Sequence, residues 1–322
     1  MNPIQFFQSA DVTLSNKLLE LVYVIIGLVC VYAGLCNLRD DSNERRVGTC
    51  VFWSVLGLLF IIGPWVPSEV AGALVVVMVL PPIFRQVGAG IDRLKPSEKE
   101  MGEGYGELGF RIFIPAFAIG AFSLVFAFLT KISSLVGITV GVFVGMATLV
   151  AMRPKKNGAR VFLEDSRRML DIVGPLIMLP TLLAILGATF TAAGVGDVIS
   201  HIVGAVIPQG NLVVGIVVYC LGMALFTMIM GNAFAAITVM TVGIGAPFVL
   251  SLGADPAIVG SLALTCGYCG TLMTPMAANF NIVPVAILEM RDEYGVIKRQ
   301  IVPALIMLVF QICLMVVLVA VL

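Results

Sequence analysis

Charge is what this 322-residue chain has least of. Only 12% of its residues are Asp, Glu, Lys or Arg, and the 19 basic and 19 acidic side chains cancel. A soluble domain carries more charge and fewer uninterrupted apolar runs, and a chain without a basic excess has no electrostatic footprint for nucleic acid. A single histidine, His201, is present; catalytic zinc needs more ligands than that, and no HExxH motif supplies them. There is no Gly-Lys-Ser/Thr phosphate loop, which excludes an ATP-driven motor within this chain. The opening MNPIQFFQSADVTLSNK lacks a basic n-region and a cleavage site, so the first apolar run reads as a retained helix and not a signal peptide. The seven cysteines are odd in number and lie mostly within apolar runs, against a disulfide framework and in favour of small buried packers. Cys266 and Cys269 form a CxxC without a second pair or nearby histidines, so no metal is expected there. On these absences the chain is not expected to be an enzyme.

What fills the chain is hydrocarbon. Hydrophobic residues make up 60% of it and its mean hydropathy is +1.08. Continuous apolar runs reach the roughly 20 residues that cross a ~30 Å bilayer core as a helix, without the period-two alternation of a membrane barrel. Candidate spans fall at 18–36, 47–65, 68–84, 111–130, 132–152, 172–193 and 301–322, with a complex region at 194–290. Basic residues collect in the segments 37–46, 85–110, 153–171 and 291–300, whereas 64–68 and 130–131 hold only Lys131. The positive-inside bias places the four basic segments in the cytoplasm and both termini outside. Region 194–290 must then cross an odd number of times, by three full crossings or by a re-entrant hairpin plus one; its helix breakers favour the second. The segment KKNGARVFLEDSRRML reads as an interfacial cytoplasmic helix, and the row Gly137, Gly141, Gly145 as a close helix-packing face.

Two places in this region break the hydrophobic pattern. MGNAFAAIT, Met230 to Thr238, offers a Gly-Asn turn between apolar stretches, which makes those stretches the legs of a hairpin. CGYCGTLMTPMAANFN, Cys266 to Asn281, weakens a helix with Gly267, Gly270 and Pro275 and supplies Thr271, Thr274, Asn279 and Asn281. Irregular backbone survives in a membrane only when buried in protein or lining a wet cavity. Broken helices can attract anions at their N-termini and hold Na⁺ or protons with free carbonyls, and neutral polar side chains complete such a site without a buried charge. The candidate substrate-binding set is Gly231, Asn232, Ala233, Thr238, Gly270, Thr271, Thr274, Pro275, Asn279 and Asn281. The competing reading of the same residues is helix packing alone.

The order of these elements resembles one half of the ion-transporter superfamily fold, which includes dicarboxylate/sodium symporters and arsenite and citrate permeases. The residues that carry the likeness are GATFTAAGVGDVISHIV, the tip Gly231-Asn232-Ala233, the GADP of Gly253 to Pro256, and Gly270-Thr271 with Thr274-Pro275. The tip is Gly-Asn-Ala where the symporters typically have Ser-Asn-Thr, a departure that bears on their sodium chemistry. The run GTLMTPMAANFNIVPVAILE also resembles a bacterial membrane family catalogued as domain of unknown function 979, over nearly the whole chain. That family is often placed beside a second small membrane family, number 969, and enzymes of pyroglutamate metabolism. The resemblances together imply an all-α integral membrane protein of the bacterial inner membrane. It would have about eight transmembrane helices plus one re-entrant hairpin and one discontinuous helix. Residues 1–110 would form a three-helix region with a cytoplasmic loop, and 111–322 a transporter-like repeat with its hairpin near 212–250 and its broken helix near 257–290. The implied function is a secondary-transporter subunit for a small organic anion such as 5-oxoproline, coupled to H⁺ or Na⁺, with no other cofactor. A non-transporting assembly subunit is the alternative. Because the pattern occurs once and the superfamily fold uses it twice, the partners expected are the lipid bilayer, the anion, and a second membrane subunit or another copy of the chain.

Gly194-Val195-Gly196-Asp197 matches the GxGD of intramembrane aspartyl proteases, but two carboxylates must share a proton in that chemistry, and no Tyr-Asp occurs anywhere in the chain. Asp197 is expected instead as a helix N-cap, and His201 as an interfacial histidine.

Overall fold

A computed structural model describes residues 3–90, 97–154, 156–204 and 210–321. The described residues are helical, without a strand among them, as backbone groups in lipid require when no sheet closes on itself. Packing divides the chain into two compact units, Met1–Gly174 and Pro175–Leu322.

In the first unit, helices α1 (Leu14–Leu38) and α2 (Arg46–Ile62) form an antiparallel pair, followed by α3 (Ser68–Ile83) packed on α2. Thr13 starts α1 as an N-cap, its Oγ1 accepting from Asn16 N at 3.3 Å. The α1–α2 contact depends on glycine: a Cβ on Gly27 would lie 2.6 Å from the Gly57 carbonyl oxygen, and one on Gly57 2.5 Å from that of Gly27. Helix α4 (Glu98–Leu108) leads to a second antiparallel pair, α5 (Phe113–Leu129) and α6 (Ser134–Met152). Here the Gly137, Gly141, Gly145 row is the contact face, buried against Phe122, Ile119 and Pro115. The amphipathic α7 (Ala159–Val173) closes the unit against α1. The division of packing therefore falls at Gly174 and not at residue 110, where the sequence reading divided the chain. Helices α5 and α6 belong with the first three, α6 packing on α1 and the Ser133 N–H donating to Ser15 Oγ at 2.9 Å.

The second unit starts with α8 (Met178–Ala192) and α9 (Val195–Gly204), which meet at a 67° bend. Gly194 makes the bend with φ +71°, a conformation open to glycine at little cost. The expected span at 172–193 is thus one arm of a broken element. Asp197 lies in the first turn of α9 and not at its cap. Helix α10 (Leu212–Met230) turns at Gly231–Asn232 into α11 (Ala233–Met240), which continues through a π-helical turn, Thr241–Gly245, and two short turns to Leu252. Helix α12 (Pro256–Thr271) then breaks, is followed by the short pieces Ala278–Asn281 and Val283–Ile287, and leads to α13 (Gly295–Val321).

Among the described residues, seven helical stretches are long and apolar enough to cross a membrane: Leu14–Leu38, Arg46–Trp65, Gly102–Leu129, Ser134–Met152, Leu212–Met230, Ala233–Leu252 and Gly295–Val321. The bent α8–α9 pair makes an eighth if it is one span. This is the architecture of an all-α, multi-pass membrane protein. Where a re-entrant hairpin was expected, the two legs joined at Gly231–Asn232 are each of spanning length. At 1.5 Å per residue, the 19 residues of α10 reach about 28 Å, and the π turn carries the second leg past Pro247 to Gly253, whose φ of +96° ends it.

The α5–α6 seam gives a direct test. Gly141→Val would set its Cβ 2.6 Å from Ile119 Cα, and overpacking of this kind costs about 1–3 kcal/mol. Gly120→Ala meets nothing within 4 Å and removes a mid-helix glycine worth roughly 0.5–1 kcal/mol. Thermal melts of the purified protein should fall for the first substitution and hold or rise for the second.

Candidate functional site

The hairpin tip is built by two residues with different tasks. Gly231 takes φ +67° and donates its N–H to Thr227 O at 2.7 Å, ending α10. Asn232 is extended and caps α11, its Oδ1 accepting from the N–H of Phe234 at 2.9 Å and of Ala235 at 3.4 Å. An N-cap amide satisfies donors that a helix start otherwise leaves open. The N–H groups that could meet an anion at this tip are therefore occupied by the side chain of Asn232 itself, which would have to turn away to expose them.

Beside the tip, α11 lies against α8. A cleft of about 550 Å³ is lined by Gly187, Ala188, Thr191 and Ala192 from one side and Asn232, Phe234, Ala235 and Thr238 from the other. Its floor is formed by a close approach, since a Cβ on Gly187 would sit 2.6 Å from Ala235 Cβ. The hydroxyls of Thr191 and Thr238 face each other at 3.4 Å. None of the lining residues is charged.

The second break is buried. Asp255 caps α12 through Oδ1, accepting from the Ala257 N–H at 2.7 Å and the Ile258 N–H at 3.2 Å, with Pro256 in the first helical position. GADP thus encodes a helix start, with proline where its missing N–H costs nothing. The helix runs to Thr271 and stops ahead of Pro275, which cannot donate to the ladder and crowds the preceding turn. Its loosened carbonyls are taken up by one side chain: Asn281 Nδ2 donates to Thr271 O at 2.7 Å and to Thr274 O at 2.6 Å. Thr271 Oγ1 donates to Tyr268 O at 2.7 Å, within its own helix. Thr274 Oγ1 donates to Met228 O at 2.8 Å and accepts from the Met276 N–H at 3.2 Å, tying the break to the last turn of α10. Gly270 lies so close to the Ala224 carbonyl that any side chain would displace backbone. Two buried acceptors in this layer have no hydrogen-bond partner, Asn281 Oδ1 and Thr227 Oγ1.

The ten residues singled out in the sequence are thus divided. Gly270, Thr271, Thr274 and Asn281 form the buried knot, and Asn232 and Thr238 line the open cleft. Gly231 shapes the tip, while Ala233 packs against Gly267, where a Cβ would approach it to 3.0 Å. Asn279 is exposed, and Pro275 lines a different pocket of about 330 Å³ with Val285, Ala286, Glu289 and Tyr294 among its walls. The candidate set omitted Thr227, and also Gly187 and Thr191, which lie in the run GATFTAAGVGDVISHIV but were not named as site residues. Thr227 stands one turn before Gly231, where a threonine among apolar residues in the last turns of the leg was the available signal. Cys266 and Cys269 are core residues of the bundle, close to Cys220, whose thiol lies 3.8 Å from Met315 Sδ. His201 is exposed in the last turn of α9.

The two asparagines of the break separate a structural from a surface position. Asn281→Leu would strand two buried carbonyls, each worth about 1–3 kcal/mol when left unpaired, and should lower unfolding stability by roughly 2–4 kcal/mol. Asn279→Ala, at an exposed position, should stay within about 0.5 kcal/mol. Denaturation of the two variants beside the parent checks both.

No curated protein and no solved structure matches the chain. A family model does, over residues 20–320, and the chain belongs to that family, described as a protein of unknown function, DUF979.

Proposed function

We propose that this chain is the subunit of a secondary transporter that moves a small organic anion, 5-oxoproline or a related carboxylate, across the bacterial cytoplasmic membrane with H⁺ or Na⁺ coupling. The observation that carries the reading is the pairing of two interrupted helices by neutral groups. The broken end of α12 is tied to the hairpin by Thr274 and closed by Asn281, and a charge-free cleft opens beside the same tip. Interrupted helices that meet inside an apolar bundle are how transporters place backbone dipoles at a solute site. The cleft of about 550 Å³ lies within the range of small-molecule sites.

In this reading the Asn232 amide stands in for the anion in the empty state. A carboxylate entering along Thr191 and Thr238 displaces it and takes over the N–H groups of Phe234 and Ala235. Thr274 and Asn281 hold the break in register with the tip. The pattern occurs once in the chain, so the working unit contains a second membrane subunit or another copy of this one, with both termini outside.

The test is uptake of labelled 5-oxoproline and other small carboxylates into vesicles, with this chain alone and with the membrane subunit that co-purifies with it. Asn232→Ala and Thr274→Ala should each reduce uptake at least tenfold, a change of about 1.4 kcal/mol, while the protein still inserts and folds. Transport unchanged by both substitutions would overturn the site, and uptake that needs only the partner would make this chain an assembly subunit.

A further inference from the structure

The most heavily buried carboxylate among the described residues outside the spans is Asp171, near the end of α7, and one guanidinium has to serve two acids there. Arg167 Nη2 donates to Asp40 Oδ2 at 2.7 Å, while its Nε lies 3.5 Å from Asp171 Oδ2, an ion-pair distance without a hydrogen bond. The side chains of Asp171, Arg167 and Asp40 are 10%, 17% and 22% exposed, so the cluster is largely dry. With both acids ionised it holds one surplus negative charge.

Among the described residues no second cation pairs with either acid, and Arg168, next along the helix, turns to Asp165 at 3.4 Å. Asn37, fully buried on α1, donates from Nδ2 to Asp171 Oδ1 at 2.7 Å and to Ala33 O at 3.0 Å. Its Oδ1 accepts from Asn43 Nδ2 at 3.0 Å, and Asn43 donates in turn to Gly88 O at 2.8 Å. Glu164 pairs with Arg160 at 2.7 Å, Arg46 pairs with Asp41, and Arg45 lies against Gly88. Tyr32 and Cys36 face the helix from α1 and carry no charge when protonated.

The two acids are also unlike. Asp40 accepts from the hydroxyl of Ser42 at 2.6 Å and from its N–H at 3.1 Å, and these bonds, with Arg167, hold its carboxyl below the usual range. Burial pushes Asp171 up to about 6, against the opposing pull of Asn37 and Arg167. The proton that neutralises the cluster therefore goes to Asp171. Gly174, buried, ends the helix as its C-cap with φ +50°, and no described atom lies within 4 Å of where a side chain would stand, which leaves the helix end a backbone position that can turn.

We propose that α7 is a proton-operated latch: with Asp171 protonated it is docked on the end of α1, and when Asp171 ionises the helix is released about Gly174. The step is a simple ionisation, the carboxyl proton passing to water and the surplus charge following it into solvent as the helix lifts. The docked form binds more protons than the released one, so docking strengthens as pH falls and is lost as pH rises from the ordinary carboxylate range through about 6.

Hydrogen exchange of the 159–173 amides in the full-length protein tests this, as the ratio of wild type to Asp171→Asn at each pH, which cancels the intrinsic base catalysis of exchange. Because the variant cannot ionise, the ratio should rise about 20-fold between pH 4.5 and 7 and flatten above pH 6. A ratio that does not change with pH overturns the latch. Should the variant not fold, wild type alone decides: the infrared band of a protonated carboxyl and the protection of 159–173 must titrate with one midpoint, and separate midpoints overturn it. The outcome does not depend on whether the protein transports anything.

Discussion

Everything in the second unit depends on one requirement, that a helix broken inside an apolar bundle must have its freed carbonyls paired. Water cannot supply the missing bonds there, and each orphaned group costs several kcal/mol. The chain meets the requirement with a single amide. Asn281 spans the carbonyls of Thr271 and Thr274, and the Thr274 hydroxyl carries the repair onward to Met228 in the neighbouring leg. The break and the hairpin tip are therefore one construction, and the position of each limits the other. Gly267 and Gly270 let the helices come close enough for those short side chains to reach.

The two units solve the burial of polarity in different ways. The hairpin and the broken helix use only neutral groups, which can form and break hydrogen bonds without moving a charge through a low dielectric. The turn after α1 uses carboxylates and a guanidinium, and it can do so because it lies among basic segments and not in a span. That contrast underlies the two proposals: the solute site is placed where the groups are neutral, and the pH response where two acids are buried beside one cation.

Much of this was legible in the residues. Most of the spans followed from uninterrupted hydrocarbon, although Ser68–Ile83 is shorter than a span and the stretch at 172–193 belongs to a bent pair, and the packing face of α6 followed from glycines four apart. The tip turn followed from Gly-Asn, because few residues other than glycine accept a left-handed backbone. The likeness to a membrane family of unknown function was carried by the run through the break, and membership holds over residues 20–320. Less legible was which polar residues meet. Asn279 and Asn281 are two positions apart and look equivalent in the sequence, yet one faces outward and the other closes the break, because a short helical turn points them to different sides. The length of the hairpin legs was hidden too, since a π turn is set by how a helix packs and leaves little mark in composition.

By itself the sequence determined the medium, the number and length of the hydrophobic helices to within a span or two, and the points where the backbone had to bend. These are local consequences of hydropathy, of proline's missing donor and of glycine's freedom. Tertiary structure alone decided the partners: that Thr274 reaches Met228, that Thr191 comes to Thr238, and that Arg167 must divide itself between Asp40 and Asp171. Those contacts join residues up to 127 positions apart. They arise from helices crossing at particular heights and rotations, quantities that no local pattern in the chain encodes.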